Sequence, residues 1–170
     1  MNAPAPARPR RAFSLIEAAV SIIIVGVMLG AALQTVGASR LGQAWNSDRL
    51  RALALAQAMM GEVVDQYYKD PAAIVVLFGP ELGEDQANRT TLNDVDDFNG
   101  IDGPPTSRDG SAIPNLTNWR RTVAVTWVDP QSPSATTLLD SGLKRITVAV
   151  YRGQMKMAEL TAYRAAAIPR

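Results

Sequence analysis

The 170-residue chain contains no cysteine and no histidine. Those two absences remove disulfides, thiol nucleophiles, imidazole bases and the commonest zinc ligands. They leave the compartment open, because an extracytoplasmic domain without disulfides is ordinary. Serine and carboxylate chemistry survives the exclusion, yet neither a Gly-x-Ser-x-Gly elbow nor a P-loop pattern occurs. No catalytic residue is expected, and the chain does not read as an enzyme.

Proline is missing from Ser14 to Asp70, between a start that holds three prolines and Pro71. Charge is missing from Ala18 to Leu33. Counted from Phe13 to Leu33, the apolar segment is 21 residues long and Glu17 is its one charged side chain. That length is enough for a helix to cross a bilayer core of roughly 30 Å. A carboxylate in such a segment is costly and calls for a partner.

What charge there is falls in blocks. Residues 1–12 carry three Arg and no acid, residues 71–119 eight acids against two Arg, and residues 120–170 eight Lys or Arg against three acids. Basic residues beside a membrane span stay inside, so the start of the chain reads as cytoplasmic and everything after about residue 34 as lying across the membrane. No nucleic-acid interface is evident.

Arg10-Arg11-Ala12-Phe13-Ser14-Leu15-Ile16-Glu17, with the apolar run behind it, resembles the leader of type IV prepilins and of type II secretion pseudopilins. Ala12 stands where that family usually has Gly. The resemblance implies cleavage after Ala12 by a membrane-embedded prepilin peptidase, which also methylates the new amine on Phe13. It implies an assembly role for Glu17, whose carboxylate can pair with a Phe13 amine. It further implies a single-pass inner-membrane subunit that later enters a filament of a type IV pilus or pseudopilus. The partners would be the peptidase, other pilins or pseudopilins, the inner-membrane assembly platform and the lipid bilayer. The small globular part and the lack of a Cys-bounded loop fit a minor subunit. An uncleaved signal anchor carrying an extracytoplasmic binding domain is the alternative, although a secretory signal has an apolar core of only about 7–15 residues.

The implied fold class is α+β and pilin-like, a long N-terminal helix on a small antiparallel sheet. The expected division is a leader at 1–12, a transmembrane helix at 13–34, its amphipathic continuation at 35–70 and a periplasmic globular region at 71–170. Leu53, Ala56, Met60, Val63 and Tyr67 form the expected apolar stripe of the continuation. A break near Gly37 or Gly42 is the competing reading of the helix. Gly26 and Gly30 make a small-xxx-small pair suited to close helix packing in lipid, and glycine is also simply frequent in membrane helices.

Beyond Pro71, Ala72 to Phe78 is a short apolar run, and 79–118 reads as a long loop region. Within it, Asp94, Asp96, Asp97, Asn99 and Asp102 offer five oxygens that can ligate calcium, without EF-hand spacing. The plainer reading is an acidic turn with Asx caps. The phrase Asp94-Val95-Asp96-Asp97-Phe98 is similar to one in minor pilins of the mannose-sensitive haemagglutinin class. No other cofactor is expected. Period-two alternation predicts strands over 120–129, with Val123, Val125 and Trp127 on one face, and over 144–152, with Ile146, Val148 and Val150 on one face. A third strand over 157–165 closes a hairpin with the second, and 130–143 reads as loop.

Overall fold

A computed structural model describes residues 14–71 and 78–166. The expected leader, the expected cleavage junction Ala12–Phe13 and most of the apolar run after Pro71 lie outside the described residues. The chain divides into two compact units, Met1–Trp45 and Asn46–Arg170.

One helix, α1, runs from Leu15 to Val64 and passes through Gly37 and Gly42 without interruption. Ser14 caps it, its hydroxyl oxygen accepting the Ile16 N–H at 3.2 Å. The helix stops six residues before the expected end at Asp70. The Tyr67 N–H donates to the Asn93 carbonyl at 3.3 Å and the Val95 N–H donates to the Tyr67 carbonyl at 3.0 Å, a short parallel pairing with the Tyr67–Asp94 bridge at its centre. Those backbone groups are satisfied across the fold instead of along the helix, so a tertiary contact ends it before the proline does.

In the second unit the buried helix positions are Ala52, Ala56, Met59 and Val63, spaced 4, 3 and 4 apart. This corrects the expected stripe, which shares only Ala56 and Val63 with it. Leu53 is 37 % exposed and Tyr67, beyond the helix, 61 % exposed. The expectation followed side-chain bulk. The fold instead turns two alanines inward, and small residues at a contact let a helix lie close to its neighbour. The stripe packs into one core with Val123, Val125, Ile146, Val148, Val150, Met157, Trp119 and Phe98.

The sheet is five-stranded and antiparallel: β1 (Asp102–Gly103), β2 (Trp119–Asp129), β3 (Ser132–Thr136), β4 (Leu143–Arg152) and β5 (Met155–Ala165). The order is β1-β2-β4-β5, with β3 paired to the end of β2. The β4–β5 hairpin closes through Gly153-Gln154, with Gly153 at φ 60°, the positive φ that two-residue hairpin turns require. Expectation and structure agree on these three long strands and on the hairpin.

Two details differ. The expected loop 130–143 contains β3, whose five residues are all exposed, so no apolar alternation could announce it. On β2 the inward phase slips, leaving Trp127 half-buried and Val128 buried, beside a register shift at Val128/Asp129. A bulge redirects side chains in this way. Trp127 turns to Phe78, their ring centroids 4.6 Å apart in an edge-on arrangement.

The expected loop region 79–118 holds a 3-10 turn at Asp96–Phe98, β1 and several tight turns. Gly110 sits in one of them at φ 86°, and a Cβ there would lie 2.5 Å from the Ala87 carbonyl oxygen. Gly110→Ala is expected to lower stability by about 2 kcal/mol, from strained φ and backbone clash together, as read from the urea unfolding midpoint.

Candidate functional site

The first unit presents an apolar helix with nothing over it. Its most apolar 18-residue window contains no buried residue. Leu15, Ile16, Ile22, Ile23, Val25, Val27, Met28, Leu29 and Leu33 are all exposed. Monomeric soluble proteins rarely expose so long a continuous apolar stretch. Two of its hydroxyls are satisfied within the helix, Ser21 donating to the Glu17 carbonyl at 2.7 Å and Thr35 to the Ala31 carbonyl at 3.0 Å. A helix in hydrocarbon needs that internal pairing. Gly26 and Gly30 lie on one face, four residues apart, and an added Cβ at either would meet nothing within 4 Å. Nothing in their own chain requires them to be small.

Glu17 lies in the first turn of α1, three residues after the Ser14 cap, and is exposed. A carboxylate there is favoured by the positive end of the helix dipole. Residues 7–33, which include it, match the prokaryotic N-terminal methylation motif. The chain carries a prepilin-type N-terminal motif. This motif is the hallmark of type IV prepilins and pseudopilins, and here it runs from the end of the expected leader through the cap and Glu17 to Leu33, the end of the apolar run. The prepilin segment ends before the sheet begins, and no curated protein or solved structure matches the chain.

The second cluster of chemistry lies in the loop region, outside the matched motif. Of the five oxygen-bearing residues read as one ligand set, the structure brings only two together. Asp94 Oδ1 accepts the N–H groups of Asp96 at 2.8 Å and Asp97 at 3.3 Å, an Asx cap of the 3-10 turn. Asp97 Oδ2 accepts those of Asn93 and Asp94, both at 2.9 Å. Asp96 is engaged by Lys144, Asn99 accepts the Val125 N–H at 2.9 Å, and Asp102 pairs with Arg120 at 3.1 Å on the surface. The oxygens that do converge belong to Asp94, Asp97 and Glu81, a residue outside the sequence-read set. Thirteen positions separate Glu81 from Asp94, so no local spacing marks it.

Burial comes first among the causes that push the Glu81 carboxyl up to about 8 and Asp94 up to about 7, and it raises Asp97 as well. Facing carboxylates add to the rise in all three, while Lys144 pulls Asp94 back. Because the folded values lie above the ordinary carboxyl range, the folded chain binds more protons than the unfolded one. Stability in chelator is therefore expected to fall as pH rises from about 5 to about 8, with a lower urea midpoint at the upper end.

Two ion pairs pin this loop to its surroundings. Lys144, on the buried face of β4 in phase with Ile146 and Val148, donates to the Asp96 carboxylate and to the Tyr68 carbonyl. Its ammonium also lies 4.4 Å from the centre of the Tyr68 ring. The Tyr68 hydroxyl in turn donates to Asp140, and burial followed by that carboxylate drives the phenol far above its usual value. Arg89 reaches from the loop to Glu62 on α1 at 2.9 Å and to the Thr106 hydroxyl at 2.8 Å. Lys144 had a readable signal, since a lysine in phase with an inward apolar row needs a buried counterion. Arg89 had none.

Proposed function

We propose that the chain is a minor pilin or pseudopilin, a structural subunit of a type IV pilus or a type II secretion pseudopilus. The observation that carries this reading is the coincidence of a prepilin motif with an apolar helix that its own fold leaves uncovered. Lipid would cover that helix before assembly and other subunits afterwards. The three arginines ahead of it favour a cytoplasmic leader and a periplasmic sheet unit in the inner membrane.

Prepilin peptidase would hydrolyse the Ala12–Phe13 bond, leaving a carboxylate on the leader and a free amine on Phe13, which is then methylated. The Glu17 carboxylate would pair with a Phe13 amine, and Gly26 and Gly30 would allow neighbouring helices to approach. The assembly platform would extract the subunit from the bilayer into the filament. The role is one of a substrate and building block, not of a catalyst.

The test is the intact mass and N-terminal sequence of the protein purified from its native membrane. A chain beginning at methylated Phe13 is the expected result. A chain that keeps residues 1–12 in cells with an active peptidase would overturn the reading in favour of a signal anchor.

A further inference from the structure

Glu81, Asp94 and Asp97 direct carboxylate oxygens toward one point, all within 4.8 Å of one another. Asp94 and Asp97 are buried, and Glu81 reaches the rim. Convergent acids alone do not define a site. A second observation does: Asp97 has no exposed surface, and its Oδ1 has no hydrogen-bond partner among the described residues, although Oδ2 has two. Glu81 Oε2 and Asn93 Oδ1 are buried and orphaned in the same way. Buried acceptors in native proteins are almost always satisfied, so three orphans in one cluster call for a donor or a cation.

Among the described residues no side-chain cation supplies it. Lys144 is committed to Asp96 and Arg89 to Glu62, and among the described residues none of Glu81, Glu84, Asp94 and Asp97 takes part in an ion pair. Glu84 is already engaged, accepting from the Asn93 amide and the Glu81 N–H, both at 2.8 Å.

We propose that Glu81, Asp94 and Asp97, with the side-chain oxygen of Asn93, form a binding site for a hard divalent cation of calcium's size. The donors are all oxygen, which suits a hard cation and not a soft one. Carboxylate oxygens gathered within 4.8 Å of one another are near enough to share one cation. Calcium accepts such a flexible shell of protein oxygens, whereas magnesium demands near-ideal octahedral geometry and keeps several of its waters. The Asx bonds within Asn93–Asp97 hold two of the ligands in place before the cation arrives. Half-buried Glu81 leaves a way in from solvent.

The experiment uses the full chain in detergent, stripped with EDTA and titrated with calcium chloride in a calorimeter. One calcium should bind per chain, and the unfolding temperature should rise by about 4 °C at tenfold excess over Kd. Glu81→Gln should weaken binding at least tenfold, Asp97→Asn should abolish it, and Asp102→Asn should leave it unchanged. Absence of binding up to about 5 mM calcium, above the range of weak extracellular sites, would overturn the proposal. Undiminished affinity in Glu81→Gln would do the same, and that rim variant decides the matter if Asp97→Asn does not fold.

Discussion

Glu17→Ala should leave the protein anchored in the membrane at wild-type levels and remove it from filaments. Anchoring depends on the apolar run, and deleting a carboxylate from a membrane segment lowers the cost of insertion, by about 2.5–3.5 kcal/mol for an acid at the helix centre and less near its end. Incorporation depends on what the carboxylate meets. In the proposed arrangement the methylated Phe13 amine sits in a packed helical core with Glu17 as its counterion. Removing one partner of a buried pair strands the other, a penalty of about 3–5 kcal/mol. At 1.4 kcal/mol per tenfold, that reduces incorporation at least a hundredfold. Glu17→Gln should fail as well, because a neutral amide restores packing but not charge. Membrane and sheared-filament fractions probed side by side give the answer. Wild-type amounts of either variant in filaments would end the charge-pairing account.

Lys144→Met should destabilise the sheet unit by about 3–5 kcal/mol, a large part of the 5–15 kcal/mol that usually holds a domain together. Methionine keeps most of the side-chain volume and loses the charge. Asp96 is then left with a buried carboxylate, its other oxygen already unpaired, beside Asp94 and Asp97. The Tyr68 carbonyl loses its donor and the Tyr68 ring its cation. Adding Asp96→Leu to the same chain should recover much of the loss, since an apolar pair of similar volume often replaces a buried ion pair at little cost. Urea unfolding of the two single variants and the double gives the coupling between them. The coupling should hold at high salt, because buried charges are poorly screened. A loss below about 1 kcal/mol in Lys144→Met would show that the pair behaves like a surface bridge.

How far the fold was legible follows from where apolar side chains fall. β2, β4 and β5 were readable because Val123, Val125, Ile146 and Val148 alternate with polar neighbours and face one core. β3 was not, because Ser132–Thr136 buries nothing and is held by backbone pairing and by the Arg145 side chain on its carbonyls. The helix was readable through its lack of proline, but its end was not, because Tyr67 pairs with residues nearly thirty positions away. The stripe was misplaced at Leu53, where bulk was followed and Ala52 faces the core, and at Met60, where the adjacent Met59 is the buried one of an identical pair. The methylation motif was legible because it is contiguous in the chain. The loop cluster was legible only in part. Asp94 and Asp97 stand together in the chain, whereas Glu81 joins them only once the loop has folded.

The inward row Ala52–Val63 is complete long before the strands that cover it exist. Ile146, Val148 and Met157 lie some eighty to ninety-five residues further along the chain. At a ribosomal rate of about 5–20 residues per second, the row waits roughly 5–20 s for its sheet. Contacts of such long sequence separation also close slowly once all the partners are present. Biogenesis therefore passes through a nascent species whose apolar row is complete but uncovered, open to aggregation or to capture by a chaperone. Chains arrested before β4 should be cleared by proteases as readily as unfolded ones, however well their N-terminal segment is anchored.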